Sequence, residues 1–270
     1  MSADNPISSG QGSLTRALSI QARVVWALML REAMTRYGRH NIGFLWLFVE
    51  PMIFTLGVTA LWSFSGLHRS SDLPISAFAL TGYSTVLLWR NMPHRCVGAI
   101  VPNSALMYHR NVRVIDIFLS RLALEAAGAT MSFALLSVIL IWFEWMNPPE
   151  NMLLLTEAWL LTTWFGVGLA ILLGAMAERN ELVEKLWHPA AYLLFPLSGA
   201  GFLVDATPEA FQKVALLLPM VHCAEMVRDG YFGSKFVAHY DIGFVVTCNL
   251  VLTFVGLTFE RKVSREFIPE

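Results

Sequence analysis

Six stretches of the chain are almost continuously apolar: residues 44–65, 76–92, 117–143, 153–177, 187–203 and 242–259. Each comes close to the roughly 20 residues that a helix needs to cross a hydrocarbon layer. The pattern therefore predicts six transmembrane helices. The second and fifth are the shortest, and the fifth holds Pro189 and Pro196, which predicts kinks there. A further apolar run, 214–221, is too short to span and is broken by Pro219, so residues 204–240 read as short re-entrant or interfacial helices. Ahead of the first span, residues 14–40 mix Val24, Val25, Leu28 and Met29 with Arg16, Arg23, Arg31, Glu32 and Arg36. That is the pattern of a helix lying in the membrane interface, although an elbow leading the chain into the bilayer fits it equally.

The expected organisation is thus a cytoplasmic tail and interfacial helix (1–43) followed by a six-span domain (44–270), all-α throughout. Residues 1–14 are rich in Ser, Gly and Gln, without the apolar core of a signal peptide, and read as a floppy cytoplasmic tail.

Composition agrees with the pattern and narrows the function. Of 270 residues, 56% are apolar and only 14% charged, with a mean hydropathy of +0.55. A soluble domain carries about 25% charged residues. A soluble enzyme, a nucleic-acid-binding module and a disordered protein are excluded. The net charge of −1 creates no overall field, so any recognition of charge falls to local clusters. Thirteen of the nineteen Lys and Arg residues fall in the stretches 1–43, 93–116, 178–186 and 260–270, and four in 66–75, 144–152 and 204–241. By the positive-inside rule the first group, with both termini, faces the cytoplasm.

Motifs for chemistry are missing from the sequence. It has no GxxxxGK[ST] phosphate loop, the nearest fragment being Gly233-Ser234-Lys235. HExxH, GxSxG and a loop DxD are absent too. Cys96, Cys223 and Cys248 lie far apart and the seven His are scattered, so neither a metal nor a cofactor is expected in this chain. No Asp/Glu/His relay crosses the spans, which points to an outside energy source for any transport. A membrane-embedded sugar transferase would need the carboxylate or metal motifs that are missing.

The few charges inside spans are costly and therefore informative. Glu50 precedes Pro51 in the first span, which suggests either a helix break or a wet path. Arg121 and Glu125, four apart, are expected to pair on one helix face. Arg36, Arg39 and His40, with Arg90 and Arg95, gather cations at one membrane depth. Arginine forks suit phosphate and carboxylate groups. Ordinary positive-inside charge accounts for the same residues. Trp46, Trp62, Tyr83, Trp89, Trp159 and Trp164 are candidates for a sugar-stacking lining or for an interfacial belt. The 93–116 loop is long for a plain connector, and Asn103-Ser104-Ala105-Leu106 reads as an N-capped short helix.

Four segments carry a family resemblance. They are Arg31-Glu32-Ala33-Met34-Thr35-Arg36-Tyr37 with Gly43-Phe44-Leu45-Trp46; Leu106-Met107-Tyr108 with Val112-Arg113-Val114-Ile115-Asp116 and Ser120-Arg121; residues 219–233, in which His222, Glu225, Arg228 and Gly230 stand out; and Tyr240-Asp241. Together they resemble the permease subunits of type-2 ABC exporters, within them the KpsM-like capsular polysaccharide export permeases. Glu50 departs from that pattern.

The resemblance implies a homodimer of six-span protomers in a Gram-negative inner membrane, with a separate ATPase binding ATP and Mg. It also implies a periplasmic polysaccharide co-polymerase-type adaptor and an outer-membrane export channel. The substrate would be a lipid-linked polysaccharide; related exporters carry O-antigen, teichoic acid or drugs. The implied ATPase contacts are Asn103, Ser104, Leu106, Tyr108 and Asp116, with Glu178 and Arg179 on the second cytoplasmic loop. Read from its residues, the short, amphipathic outer segment with His222, Glu225, Arg228 and Asp229, in which Glu225 and Arg228 can pair three apart, is expected to act as an external gate. The entrance would fall to Arg36, Arg39, His40, Glu50, Trp46, Arg90 and Arg95.

Overall fold

A computed structural model describes residues 8–37, 41–65, 73–110 and 112–266. Helices α1 (Ser8–Tyr37), α2 (Asn41–Ser65) and α3 (Ile75–Cys96) are followed by a 3-10 turn (Val101–Asn103) and α4 (Ser104–Arg110). Then come α5 (Val114–Trp142), α6 (Met152–Arg179), α7 (Glu181–Leu194), α8 (Glu209–Ala215), α9 (Pro219–Phe232), a 3-10 turn (Gly233–Lys235) and α10 (Ile242–Glu266). No strand occurs among the described residues.

Helices α5, α6 and α10 are long and apolar enough to cross a membrane. At 1.5 Å per residue, the 29 residues of α5 reach about 43 Å. Their outer faces carry large apolar side chains such as Val138, Leu160 and Phe254, more than 60% exposed, as expected where lipid replaces water.

Helix α3 is built differently. Every residue from Ala77 to Trp89 is buried, because α2, α5, α6 and α9 surround it. Protein neighbours rather than lipid enclose it, so it tolerates Thr81, Ser84 and Thr85. Thr81 and Thr85 return their hydroxyls to the carbonyls of Ala77 and Thr81, at 2.8 and 2.6 Å.

Small residues set the tightest contacts, as is common between membrane helices. A Cβ on Gly256 of α10 would stand 3.0 Å from the backbone nitrogen of Leu172 on α6. A Cβ on Gly82 of α3 would stand 2.5 Å from the carbonyl oxygen of Ala200.

Two expectations need correction. The fifth apolar stretch does not form one helix over 187–203. Helix α7 starts earlier, at Glu181, where the Asn180 side chain accepts from the Leu182 amide at 2.9 Å. It accommodates Pro189 and stops at Leu194, and successive tight turns follow through Ser198. Asn103, in turn, is not a helix cap. It ends the 3-10 turn, donates from Nδ2 to the Ala99 carbonyl (2.8 Å) and accepts from Arg31.

The 204–240 segment is helical as expected, with α8 and α9 meeting at a bend of 104°. However, α9 is not an amphipathic surface helix. Twelve of its fourteen residues are buried, because α3, α6 and α10 pack around it.

Candidate functional site: a charged cavity and a cleft

Two openings gather the residues singled out by sequence. The first is a cavity of about 280 Å³ lined by residues of α2, α3, α5 and α7, among them Glu50, Tyr83, Arg90, Arg95, Glu125 and Tyr192. Arg90 and Arg95 of α3 both line it, and Tyr192 of α7 lies under the Arg90 guanidinium, 5.5 Å from ring centre to Cζ. Among the described residues Arg90 has no ion-pair partner, and its Nε is buried without an acceptor.

Glu125 is a buried member of the lining. One oxygen, Oε1, accepts from Arg36 of α1 and, at 2.7 Å, from Nε of Arg95. The expected Arg121–Glu125 pair is therefore not made. Arg121 turns instead to Glu32 (3.3 Å) and to the carbonyl of Arg95 (2.8 Å), because α1 lies against this end of α5 and offers it a carboxylate. Glu32 also lies 3.6 Å from Arg36, one turn on.

Of the sequence-predicted entrance residues, Glu50, Arg90 and Arg95 line the cavity and Arg36 joins it through Glu125. Trp46 is not part of the lining and is 52% exposed on α2. Arg39 and His40 lie outside the described residues. Sequence reasoning missed Glu125 as a wall residue, together with Asn91 and Tyr192. Their only signal was position one turn from the predicted arginines or on the far side of a loop.

Of the candidate aromatics, only Tyr83 reaches the cavity. Trp89 is wholly buried against Phe165, and Trp159 and Trp164 donate to Thr130 and Thr253 between helices, so these three are packing residues.

The second opening is a cleft of about 630 Å³ where the two predicted ATPase-contact segments meet. Gly98, Val101 and Pro102 form one side, and Glu178, Glu181, Glu184, Lys185 and His188 the other. Burial and the neighbouring carboxylates of Glu184 and Glu266 raise the carboxyl pKa of Glu178 above its ordinary value. Ser104 and Arg179 are exposed, Leu106 is half-buried, and Tyr108 is 71% exposed.

Asn103 and Asp116 face the other way. Both are buried, Asn103 under Arg31 and Asp116 beside Gln21, whose Nε2 donates to Oδ1 at 3.1 Å. Asp116 also closes the start of α5 by accepting from the Arg113 amide at 3.0 Å. These two residues spend their side chains on α1 in this chain. The Arg31–Glu32–Arg36 face of α1 thus spends its polar groups on Asn103, Arg121 and Glu125, while Leu18, Trp26, Leu30 and Met34 point outward.

At the other end of the bundle, the polar residues of α9 grip the chain on both sides of it. His222 accepts at Nδ1 from the Asp241 amide (2.9 Å), which leaves Nε2 to donate to the Leu216 carbonyl (2.8 Å). Glu225 accepts from the amides of Val204 and His239 at 3.4 and 3.1 Å. Arg228 donates to the carbonyls of Gly199, Ala200 and Phe202 at 2.6 to 2.8 Å, with Glu225 at a loose 3.9 Å. Asp229 accepts from the Tyr240 hydroxyl at 2.8 Å. Burial and that carboxylate push the Tyr240 phenol up to about 12.

A helical bundle with membrane-length apolar helices and a charged cavity between them is the architecture of a membrane transporter. The profile of the ABC-2 type transporter family matches residues 23–232, and the chain belongs to that family. It is 44% identical over 258 residues to the capsule polysaccharide export inner-membrane protein CtrC of Neisseria meningitidis serogroup B, covering 96% of this chain and 97% of that protein. It is 40% identical over 260 residues to the capsule polysaccharide export inner-membrane protein BexB of Haemophilus influenzae, covering 96% and 98%. The polysialic acid transport protein KpsM of Escherichia coli is 26% identical over 247 residues, covering 90% and 94%.

Proposed function

We propose that this chain is the permease subunit of an ATP-driven exporter that moves a lipid-linked capsular polysaccharide outward across the bacterial inner membrane. It works as a homodimer with two copies of a separate ATPase subunit, feeding a periplasmic adaptor and an outer-membrane channel. Six crossings, by α2, α3, α5, α6, α7 with the turns after it, and α10, put both termini in the cytoplasm. The observation that carries this reading is the cavity: Arg90 and Arg95 line it, and Arg36 reaches its Glu125 carboxylate from α1, where a helix bundle would receive the anionic end of a substrate. The relatives' names supply the class of cargo. The cleft between the 3-10 turn and α7, with exposed Ser104 and Tyr108 near it in sequence, is the surface offered to the ATPase.

The test is complementation of a strain lacking this gene. Arg90→Glu with Arg95→Glu is expected to abolish surface capsule at normal protein level in the membrane. Full capsule from that variant would sink the entrance reading.

A further inference from the structure

The cavity already contains an anion, and it belongs to the protein. Arg36 and Arg95 both converge on the single Oε1 atom of Glu125. Arg90, on the same wall, has no ion pair among the described residues. Arg36 has a second carboxylate in Glu32 at 3.6 Å, whereas the ion pair of Arg95 among the described residues is with Glu125, and a phosphate has more acceptor oxygens to offer its fork. Arg95 keeps 36% of its side chain open to an incoming ligand, whereas the Glu125 side chain on α5 is only 10% exposed.

We propose that Glu125 is the cavity's resident counter-ion: it holds Arg36 and Arg95 in the empty protein, and an anionic phosphate-bearing head group displaces it from Arg95 on binding. Glu125 is then a positioning and specificity-determining residue, setting how anionic a ligand must be to occupy the site. A zwitterionic or neutral head group does not compete, because it brings no net charge to replace the one it displaces. The inference rests on the entrance reading of this cavity and adds what keeps the site selective. Glu50 lines the same cavity, with no ion pair among the described residues. It contributes repulsion at a distance without restraining an arginine, which makes it the natural control.

The experiment uses the full-length permease in phosphatidylcholine nanodiscs, titrated with water-soluble dihexanoyl phosphatidylglycerol and, in parallel, dihexanoyl phosphatidylcholine. Binding is followed by tryptophan fluorescence. The wild type is expected to prefer the glycerol lipid. Glu125→Gln is expected to bind it about tenfold tighter, the order that removing a nearby like charge gives at a partly wet site. Glu50→Gln shifts clearly less, and Arg90→Gln weakens binding. Glu125→Asp, which shortens the reach to the two guanidiniums while keeping the charge, tightens binding to a smaller degree and decides the matter if the Gln variant does not fold. Unchanged or weaker binding by the Glu125 variants, or equal gains from Glu125→Gln and Glu50→Gln, overturns the counter-ion role alone. No binding of the glycerol lipid by the wild type or any variant overturns both this role and the entrance reading.

Discussion

Arg228 lies with its guanidinium 4.1 Å above the centre of the Phe78 ring, wholly removed from solvent. The two residues belong to α9 and α3, and the guanidinium donates to the carbonyls of Gly199, Ala200 and Phe202, with the Glu225 carboxylate 3.9 Å away. A buried guanidinium held by several acceptors specifies one geometry for the segments around it.

Arg228→Ala is therefore expected to lower stability by about 3–5 kcal/mol, the range for removing one partner from a buried charged network. Arg228→Lys should not restore it, since the three N–H groups of an ammonium diverge from one atom, whereas Arg228 reaches its three carbonyls from two nitrogens of a planar fork. Thermal unfolding of the purified protein in detergent measures both. A melting temperature within a degree or so of wild type for Arg228→Lys would refute the fork argument.

Gly82 makes room for that arrangement. Its missing Cβ would meet the Ala200 carbonyl oxygen at 2.5 Å and the Arg228 guanidinium at 2.7 Å. Gly82→Ala is expected to cost about 1–3 kcal/mol by overpacking, read from the same melts. A gain in stability would show that the turn yields without strain.

The first cytoplasmic loop should separate into two kinds of position. Tyr108 is largely exposed, and Asn103 is buried with Ala99 and Arg31 as partners. Tyr108→Ala should reduce recovery of the partner ATPase in co-purification while lowering the melting temperature less than Asn103→Ala does. Asn103→Ala should lower the melting temperature, by about 1–3 kcal/mol in stability for the stranded partners. The reverse pattern would reassign the loop's two faces.

Glu178 supplies a pH test. Its folded-state pKa is raised by burial and by Glu184 and Glu266, so the native state takes up a proton more readily than the unfolded one. Its contribution is thus unfavourable at neutral pH, and the penalty is relieved as pH falls through the raised folded value toward the ordinary one. Glu178→Gln should stabilise the protein at pH 7 and above, with the gain vanishing below the ordinary carboxyl value of 4.5. A gain that persists unchanged in acid would rule out the electrostatic cause.

The spans were legible where lipid is the neighbour. Helices α5, α6 and α10 show their apolar runs because their outer faces must match hydrocarbon at every turn. Helix α3 was legible only in part, since its Thr and Ser positions face other helices and no lipid constrains them. The site followed the same division. Arg90 and Arg95 could be picked out as cations at one depth, but Tyr192 entered the cavity from α7, far along the chain. Periodicity carries no information about which distant helix closes a wall.

By itself, the sequence determined that this is a helical membrane protein, roughly where its long apolar helices run, and which family its motifs resemble. Those properties depend on local composition, on a period of 3.6 and on short-range identity. Only the tertiary structure decided the partners. It turned Arg121 from Glu125 to Glu32, gave Glu125 to two arginines from other helices, faced Asn103 and Asp116 inward, and buried the polar stripe of α9 against the backbone on either side. The physical reason is that a charge in a low-dielectric bundle goes to whichever opposite group the packing brings within reach, and that choice is not written in the spacing along one helix.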